Sequence, residues 1–301
     1  GVDKPDDAMV FQDAKGRKWR REATDNKLLI RWYGLRPRNN YGDKDDAIVI
    51  RKAIDYIKSH RDQYNTLKFD LCQFNEWYFI ASTVYLDGII LEGEGVNKRP
   101  KTLFQVAWDV TAFRIPAGDG YVGVKNVALR HYGKFPQVTD SNNHSFDIHT
   151  VVDFENVTVL ENPNGDGFHL DACAYADPTD TVHFGNADQS RFTNCFADMS
   201  INGFWINGCD ANVISFNDCS ASSNLRWGVY DNGLLGNKYF NLHLANNGKG
   251  ITDMNVGVRV KHPPFSDTSY FTYFLRGTVD KVKGKNPVDY PDLWYQNSTG
   301  L

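Results

Sequence analysis

Apolar and polar residues alternate along most of the chain in short bursts, and the bursts recur. "SRFTNCFA" (190–197), "ISFNDCSA" (214–221) and "KYFNLHLA" (238–245) align without gaps, which places Phe192, Phe216 and Phe240 at intervals of 24 residues. A second set, "NGFWING" (202–208) and "WGVYDNG" (227–233), lies inside the same repeats. Upstream, "NGDGFHLDA" (164–172) matches that set at its Gly-Phe pair, and "DFENVTVL" (153–160) matches the Phe-x-Asn pieces. One step earlier, "GVKNVALR" (123–130) pairs with "HSFDIHT" (144–150). Residues between Tyr175 and Gln189 read as a loop inserted into one repeat. A period of about 22–25 residues, with short β-type pieces and Asn/Gly corners, predicts stacked coils that bury an inner face only against one another. Asn and Gly tolerate the left-handed backbone that tight corners need. The Leu-x-x-Leu-x-Leu pattern of a leucine-rich solenoid is missing. The expected fold is all-β: a right-handed parallel β-helix, a single-stranded solenoid.

Periodicity changes near the N-terminus. In "DDAIVIRKAIDYIKSH" (45–60), Ala47, Ile50, Ile54 and Ile57 recur at helical spacing, with Asp45 and Asp46 placed to cap the start. One amphipathic helix would close the apolar end of the coil stack. "STVYLDGIILEGEG" (82–95) then reads as strands and a Gly turn. The passage from "YGDKDDAIVIRKAIDYI" to "IILEGEG" resembles the opening of pectate-lyase-like β-helix proteins, a resemblance that implies fold rather than function. Residues 1–40 read as an N-terminal extension in which "VFQDAKGRKWRRE" could form a small hairpin; residues 41–301 read as the β-helix domain.

Alternation within each strand then sorts inner from outer side chains. Phe146 and Ile148, Phe168 and Leu170, Phe204 and Ile206, and Val229 point inward. This turns Asp231 inward too, which predicts that its strand ends there. Stacking the strands gives one outer column of Arg114, Asp147, His169, Trp205, Tyr230 and Arg259. A second column beside it runs His149, Asp171, Asn207, Asn232 and Lys261. Carboxylates and imidazoles occupy the middle, aromatics lie beside them, and cations stand at the ends.

Composition narrows what this face can do. The 301 residues carry a net charge of -4, so no basic field points to nucleic acid. No apolar run is long enough for a membrane helix. Hydrophobic residues are 41% and aromatics 14%, the composition of a folded protein with aromatic surface to spare. Five cysteines without CxxC spacing argue against zinc and against a full disulfide framework. Cys195 and Cys219 should stack in the interior. Cys173 and Cys209 should be neighbours, as an unbonded ladder by preference or as a disulfide if the protein is exported.

"SFDIH" followed one coil later by "GFHLD" resembles the active strands of mannuronan C5-epimerases, which carry Phe-Asp-Pro-His and then Gly-Phe-x-x-Asp. The resemblance implies matching roles for Asp147, His149 and Asp171: a His and a Tyr of that family act as base and acid at C5 of a uronate, and the aspartates hold the site. Here Ile148 stands for the proline and His144 for the tyrosine. Ile201 stands for an arginine, and Arg226 takes that place one coil later. His144, Asp147, His149 and Asp171 are therefore the candidate catalytic residues. Arg114, His169, Trp205, Asn207, Arg226, Tyr230, Arg259 and Lys261 are candidates for substrate binding. Aromatic faces would stack on sugars, Arg and Lys would pair with carboxylates, and an Arg, a Lys or a bound Ca²⁺ would neutralise the uronate. The expected protein is a secreted or cell-surface enzyme on an extended acidic polysaccharide, a lyase or C5-epimerase. The alternatives are an inverting glycosidase using Asp147 and Asp171, a non-catalytic glycan-binding β-helix of the phage-tail kind, or a purely structural face.

Overall fold

A computed structural model describes residues 8–21, 25–39, 44–96, 99–118, 120–132, 142–180, 183–233 and 237–247, and the strand backbones at 258–260, 273–274 and 277–279. Three parallel sheets of seven, eight and nine strands carry the chain, and from residue 122 each coil gives one strand to each in turn. This is a right-handed parallel β-helix, the hand that parallel crossovers prefer. The seven-stranded sheet bears the site. Its strands are β1 (Val84–Tyr85), β2 (Phe113–Ile115), β3 (Phe146–Ile148), β4 (Phe168–Asp171), β5 (Phe204–Gly208), β6 (Val229–Gly233) and β7 (Val258–Val260).

Corners and core follow from the repeats. Directly after strands of the nine-stranded sheet, Asn126, Asn156, Asn194, Asp218 and Asn241 adopt φ between 52° and 57°. A short polar side chain tolerates this left-handed turn and bonds to its neighbours. Asn156 Nδ2 donates to Asn126 Oδ1 at 2.6 Å, and Asn194 Nδ2 to Asn156 Oδ1 at 3.0 Å. Inside, Phe113, Phe146, Phe168 and Phe204 stack in file with ring centroids 5.5, 5.4 and 4.7 Å apart. Burying each such ring contributes about 2–3 kcal/mol.

The repeat slips by one residue in the last well-described coil. Phe192 pairs with Phe216 as expected, but Phe216 pairs with Tyr239, not Phe240. Tyr239 is buried and Phe240 turns out to solvent. Asp231 does point inward, yet β6 continues through it to Gly233. The slip makes this tolerable: Tyr239 Oη donates to Asp231 Oδ2 at 2.8 Å, and Asn237 Nδ2 donates to Oδ1 at 3.0 Å.

The helix α1 (Ala47–Ser59) buries Ala47, Ile50, Ala53, Ile54 and Ile57 against the first coil. Asp45 Oδ1 accepts the Ala47 N–H at 3.0 Å, whereas Asp46 pairs with Arg38 at 2.8 Å and caps nothing. Val10–Gln12 and Lys18–Arg20 form an antiparallel hairpin. The nine-stranded sheet begins with Lys27–Leu29, which pairs parallel with Thr66–Lys68, so the solenoid takes its first strand from within residues 1–40. Among the described residues no helix is long and apolar enough to cross a membrane.

Candidate functional site

The outer column stands in one continuous register. Cα pairing runs from Tyr85 to Arg114, Asp147, His169, Trp205, Tyr230 and Arg259. In the column beside it, Asp171, Asn207 and Asn232 are in register. Lys261 lies outside the described residues, and Arg259 is placed by its backbone alone.

Depth divides the group. His149 is 2% exposed and Asp171 4%, so both lie beneath the surface and not on an open groove as their strand parity implied. The inserted loop between Ala172 and Gln189 covers them. A disulfide between Cys173 and Cys209 holds the start of this loop, against the expectation of an unbonded ladder. Gly185 presses on β3 so closely that a Cβ there would collide with the His149 carbonyl. His183, from the same loop, places Nδ1 2.9 Å from Asp171 Oδ2. Cys195 and Cys219 are free and buried, as the spacing predicted.

Carboxylate–imidazole pairs form at three aspartates: Asp147 with His149, Asp171 with His183, and Asp166 with both His169 and, at 3.5 Å, His144. His149 Nδ1 donates to the Asp171 carbonyl at 2.7 Å, and Nε2 points to the other side of the ring. That Nε2 is 2.9 Å from Asp147 Oδ1 but lacks the alignment of a full hydrogen bond. Arg114 Nε stands 3.3 Å from Asp147 Oδ2. Burial favours the neutral acid at Asp147, yet the imidazoles of His149, His144 and His169 hold its pKa down to about 2. Asp171 Oδ2 accepts from Asn207 Nδ2 at 3.0 Å, and Asn207 Oδ1 from Asn232, so these amides are a ladder ending on the aspartate. Asp171 Oδ1 and His149 Nε2 are buried polar atoms without a hydrogen-bond partner among the described residues.

The third pair centres on Asp166, which the sequence reading passed over. His169 Nδ1 lies 2.7 Å from Asp166 Oδ2, and Asn202 Nδ2 donates to Oδ1 at 2.7 Å. Burial opposes a charged His169, but the Asp166 hydrogen bond and charge outweigh it and raise the pKa. The same imidazoles hold Asp166 below the usual carboxylate range, despite burial. His144 differs. Its Nδ1 accepts the Asp166 N–H at 3.2 Å, while burial and then the His169 charge push its pKa down to about 3. His144 is therefore a neutral imidazole with its proton on Nε2.

Four rings stack along the column. His144 lies 3.8 Å from His169, His169 6.1 Å from Trp205, and Trp205 3.9 Å from Tyr230, with planes within 16°. Trp205 and Tyr230 each spend one face on the other, and the far face of Trp205 looks toward His169, so the two rings are not the pair of open stacking faces expected of them. Tyr85, at the other end, is 50% exposed. The same alternation marks it in the sequence, since Val84 and Leu86 are buried on either side of it. Arg226 is half-buried at the corner before β6, its N–H on the Ile201 carbonyl, which bears out the one-coil offset between them but leaves Arg226 off the column.

His144, Asp166 and His169 bring metal-ligand atoms within 4.8 Å of one another. Two nitrogens and one carboxylate do not suit Ca²⁺, which takes six to eight oxygens. Stacked imidazoles also aim their lone pairs side by side and do not converge on one point.

No family model matches the chain, and no curated protein matches it. Among solved structures, that of the Acinetobacter phage vB_ApiP_P1 tailspike protein is similar, with 13% identity, a TM-score of 0.39, and coverage of 79% of this chain and 51% of that one. The chain spans about half the length of that tailspike.

Proposed function

We propose that this face binds an extended acidic polysaccharide and removes the C5 proton of a uronate unit, as a lyase or a C5-epimerase. The observation that carries the reading is the pairing of buried Asp166 with the partly exposed His169, beside a neutral His144 and the Arg114–Asp147 pair. Asp166 holds Nδ1 of His169, so His169 Nε2 takes the C5 proton once it is unprotonated. Negative charge then spreads into the uronate carboxylate. His144 Nε2–H is the donor that stabilises it. From that intermediate, breaking the C4–O bond yields a C4=C5 double bond and a leaving hydroxyl that takes up a proton. Returning a proton to the opposite face of C5 yields the epimer instead. His149 and Asp171, buried beneath, position Asp147 and the loop.

Hydrolysis through Asp147 and Asp171 is less well supported, because the pair needs both carboxyls at the sugar and Asp171 is buried, with Oδ2 engaged by His183 and Asn207. The disulfide fits an exported protein.

The test is incubation with a panel of uronate polymers. Ultraviolet absorbance reads the new double bond, and proton NMR in deuterated water reads exchange at C5. His169→Ala should lose about 10²–10⁴ in rate. Unsaturation identifies a lyase, and deuterium uptake alone an epimerase. If no polymer shows either, C5 chemistry is wrong and a glycan-binding β-helix becomes the better account; in that case Asp147→Asn should leave binding intact.

A further inference from the structure

The repeat is broken by the inserted loop after β4, and insertions in solenoids commonly build the binding face. Here the loop does more than cover His149. Together with the start of the site sheet it encloses a cavity of about 370 Å³, lined by Tyr85, Arg114, Pro116, Ala117, Pro178 and Phe184. The floor comes from β1, β2 and the residues after β2; the wall comes from the loop.

Each part is held in place. Thr150 Oγ1 donates to the Gly118 carbonyl at 2.7 Å, anchoring the floor. Cys173 N–H donates to His183 O at 2.7 Å and Cys173 forms a β-bridge with Phe184, so the disulfide fixes the wall residue itself. Neither Tyr85 nor Phe184 stacks on another ring among the described residues, in contrast to Trp205 and Tyr230. The cavity is therefore lined by two rings that are not stacked on other rings. It also borders one cation, Arg114, whose Nε is 3.3 Å from Asp147. Tyr85 and Arg114 stand two strands and one strand from Asp147, or ~5–10 Å at the spacing of a sheet.

We infer that this cavity is a subsite for one carboxylate-bearing sugar unit of the bound chain, next to the unit that reacts. Tyr85 and Phe184 pack on the ring, and Arg114 pairs with its carboxylate. This rests on the acidic-polysaccharide reading but not on C5 chemistry. It adds Tyr85 and Phe184 to Arg114 at one end of the column, where the sequence pattern offered Trp205 and Tyr230 as the aromatic contacts.

Binding should be measured by titration calorimetry in the His169→Ala background, which removes turnover. The probes are hexamers of mannuronate, guluronate and galacturonate, each with its carboxyl-reduced counterpart. Tyr85→Ala and Phe184→Ala should weaken an acidic hexamer about five- to tenfold, the loss of one aromatic contact. Arg114→Gln should weaken the acidic hexamer and leave the carboxyl-reduced one unchanged. Melting curves confirm that these surface variants fold. If Tyr85→Ala and Phe184→Ala bind like the parent, the subsite is refuted while the groove stands. Equal losses on acidic and reduced hexamers for Arg114→Gln refute the carboxylate assignment. If no hexamer binds the parent, subsite and polysaccharide reading fall together. Binding without turnover by the wild type sinks only the C5 chemistry.

Discussion

Asp166 decides how His169 works, since one oxygen holds the ring's Nδ1 and its charge raises the ring's pKa. If His169 is the base, activity should appear as pH rises through a value above the ordinary histidine value. Asp166→Asn removes the charge that raises it. The acid limb of kcat/KM should then move to lower pH, with kcat down about 10–100-fold from the lost orientation. A merely structural Asp166 would lower activity without moving the limb. His144 shows the opposite tuning a few ångströms away: stacked at 3.8 Å on a ring that carries charge, and buried, it stays neutral. The two imidazoles differ in how Asp166 meets them: its Oδ2 is 2.7 Å from His169 Nδ1 but 3.5 Å from His144 Nδ1, which accepts the Asp166 N–H instead.

The inserted loop is the element on which the site depends. It brings His183 to Asp171, covers His149 and supplies Phe184 to the cavity, yet its described residues between Asp171 and Arg191 form only isolated bridges. Its tie to the solenoid is the Cys173–Cys209 disulfide, with a sequence separation of 36. Closing a loop of that length stabilises by about 3–4 kcal/mol in the chain-entropy model. Solenoid coils depend mainly on their neighbours, so the loss should be local. Under reducing conditions, or in Cys173→Ser, hydrogen exchange should rise within residues 174–189 and proteases should cut there. Exchange in Phe192 and Phe216, two coils of stacked core, should be unchanged. Equal protection of the loop in both redox states would show that packing on His149 suffices to hold it.

At the scale of the whole molecule, buried histidines couple stability to acid. Burial first, and then neighbouring charge, brings His131 and His144 to a pKa of about 3, against 6.5 in an open chain. Below pH 6.5 the unfolded chain takes up protons that the folded one refuses, so stability falls with pH. At pH 5 this amounts to roughly 2 kcal/mol for each ring. His169 has the opposite sign: its raised pKa gives stability that is full below 6.5 and is lost as pH rises through the folded value. Asp147, held at about 2, adds a loss only below about pH 4. The melting temperature should drop from pH 7 to pH 5, and His131→Gln, away from the column, should flatten that slope. A melting temperature independent of pH over this range would mean that neither ring is buried in its neutral form.

The residues by themselves determined the coil, the capping helix and the register of Arg114, Asp147, His169, Trp205 and Tyr230. Strand alternation and a repeated inward Phe leave few ways to stack. They determined less where the period drifts: a coil one residue shorter put Tyr239 and not Phe240 inside, and an inward Asp231 became acceptable only with that phenol beside it. The tertiary structure alone decided which polar groups reach the surface. Parity says that a side chain leaves the core, but not what lies on top of it, and the loop that buries His149 and Asp171 has no period to read. Asp166 carried a faint signal, three residues before His169 in "NGDGFHLD"; His183 carried none. Whether Cys173 and Cys209 bond, and whether Trp205 shows a face or an edge, depends on distances and ring angles between coils, and a linear pattern contains neither.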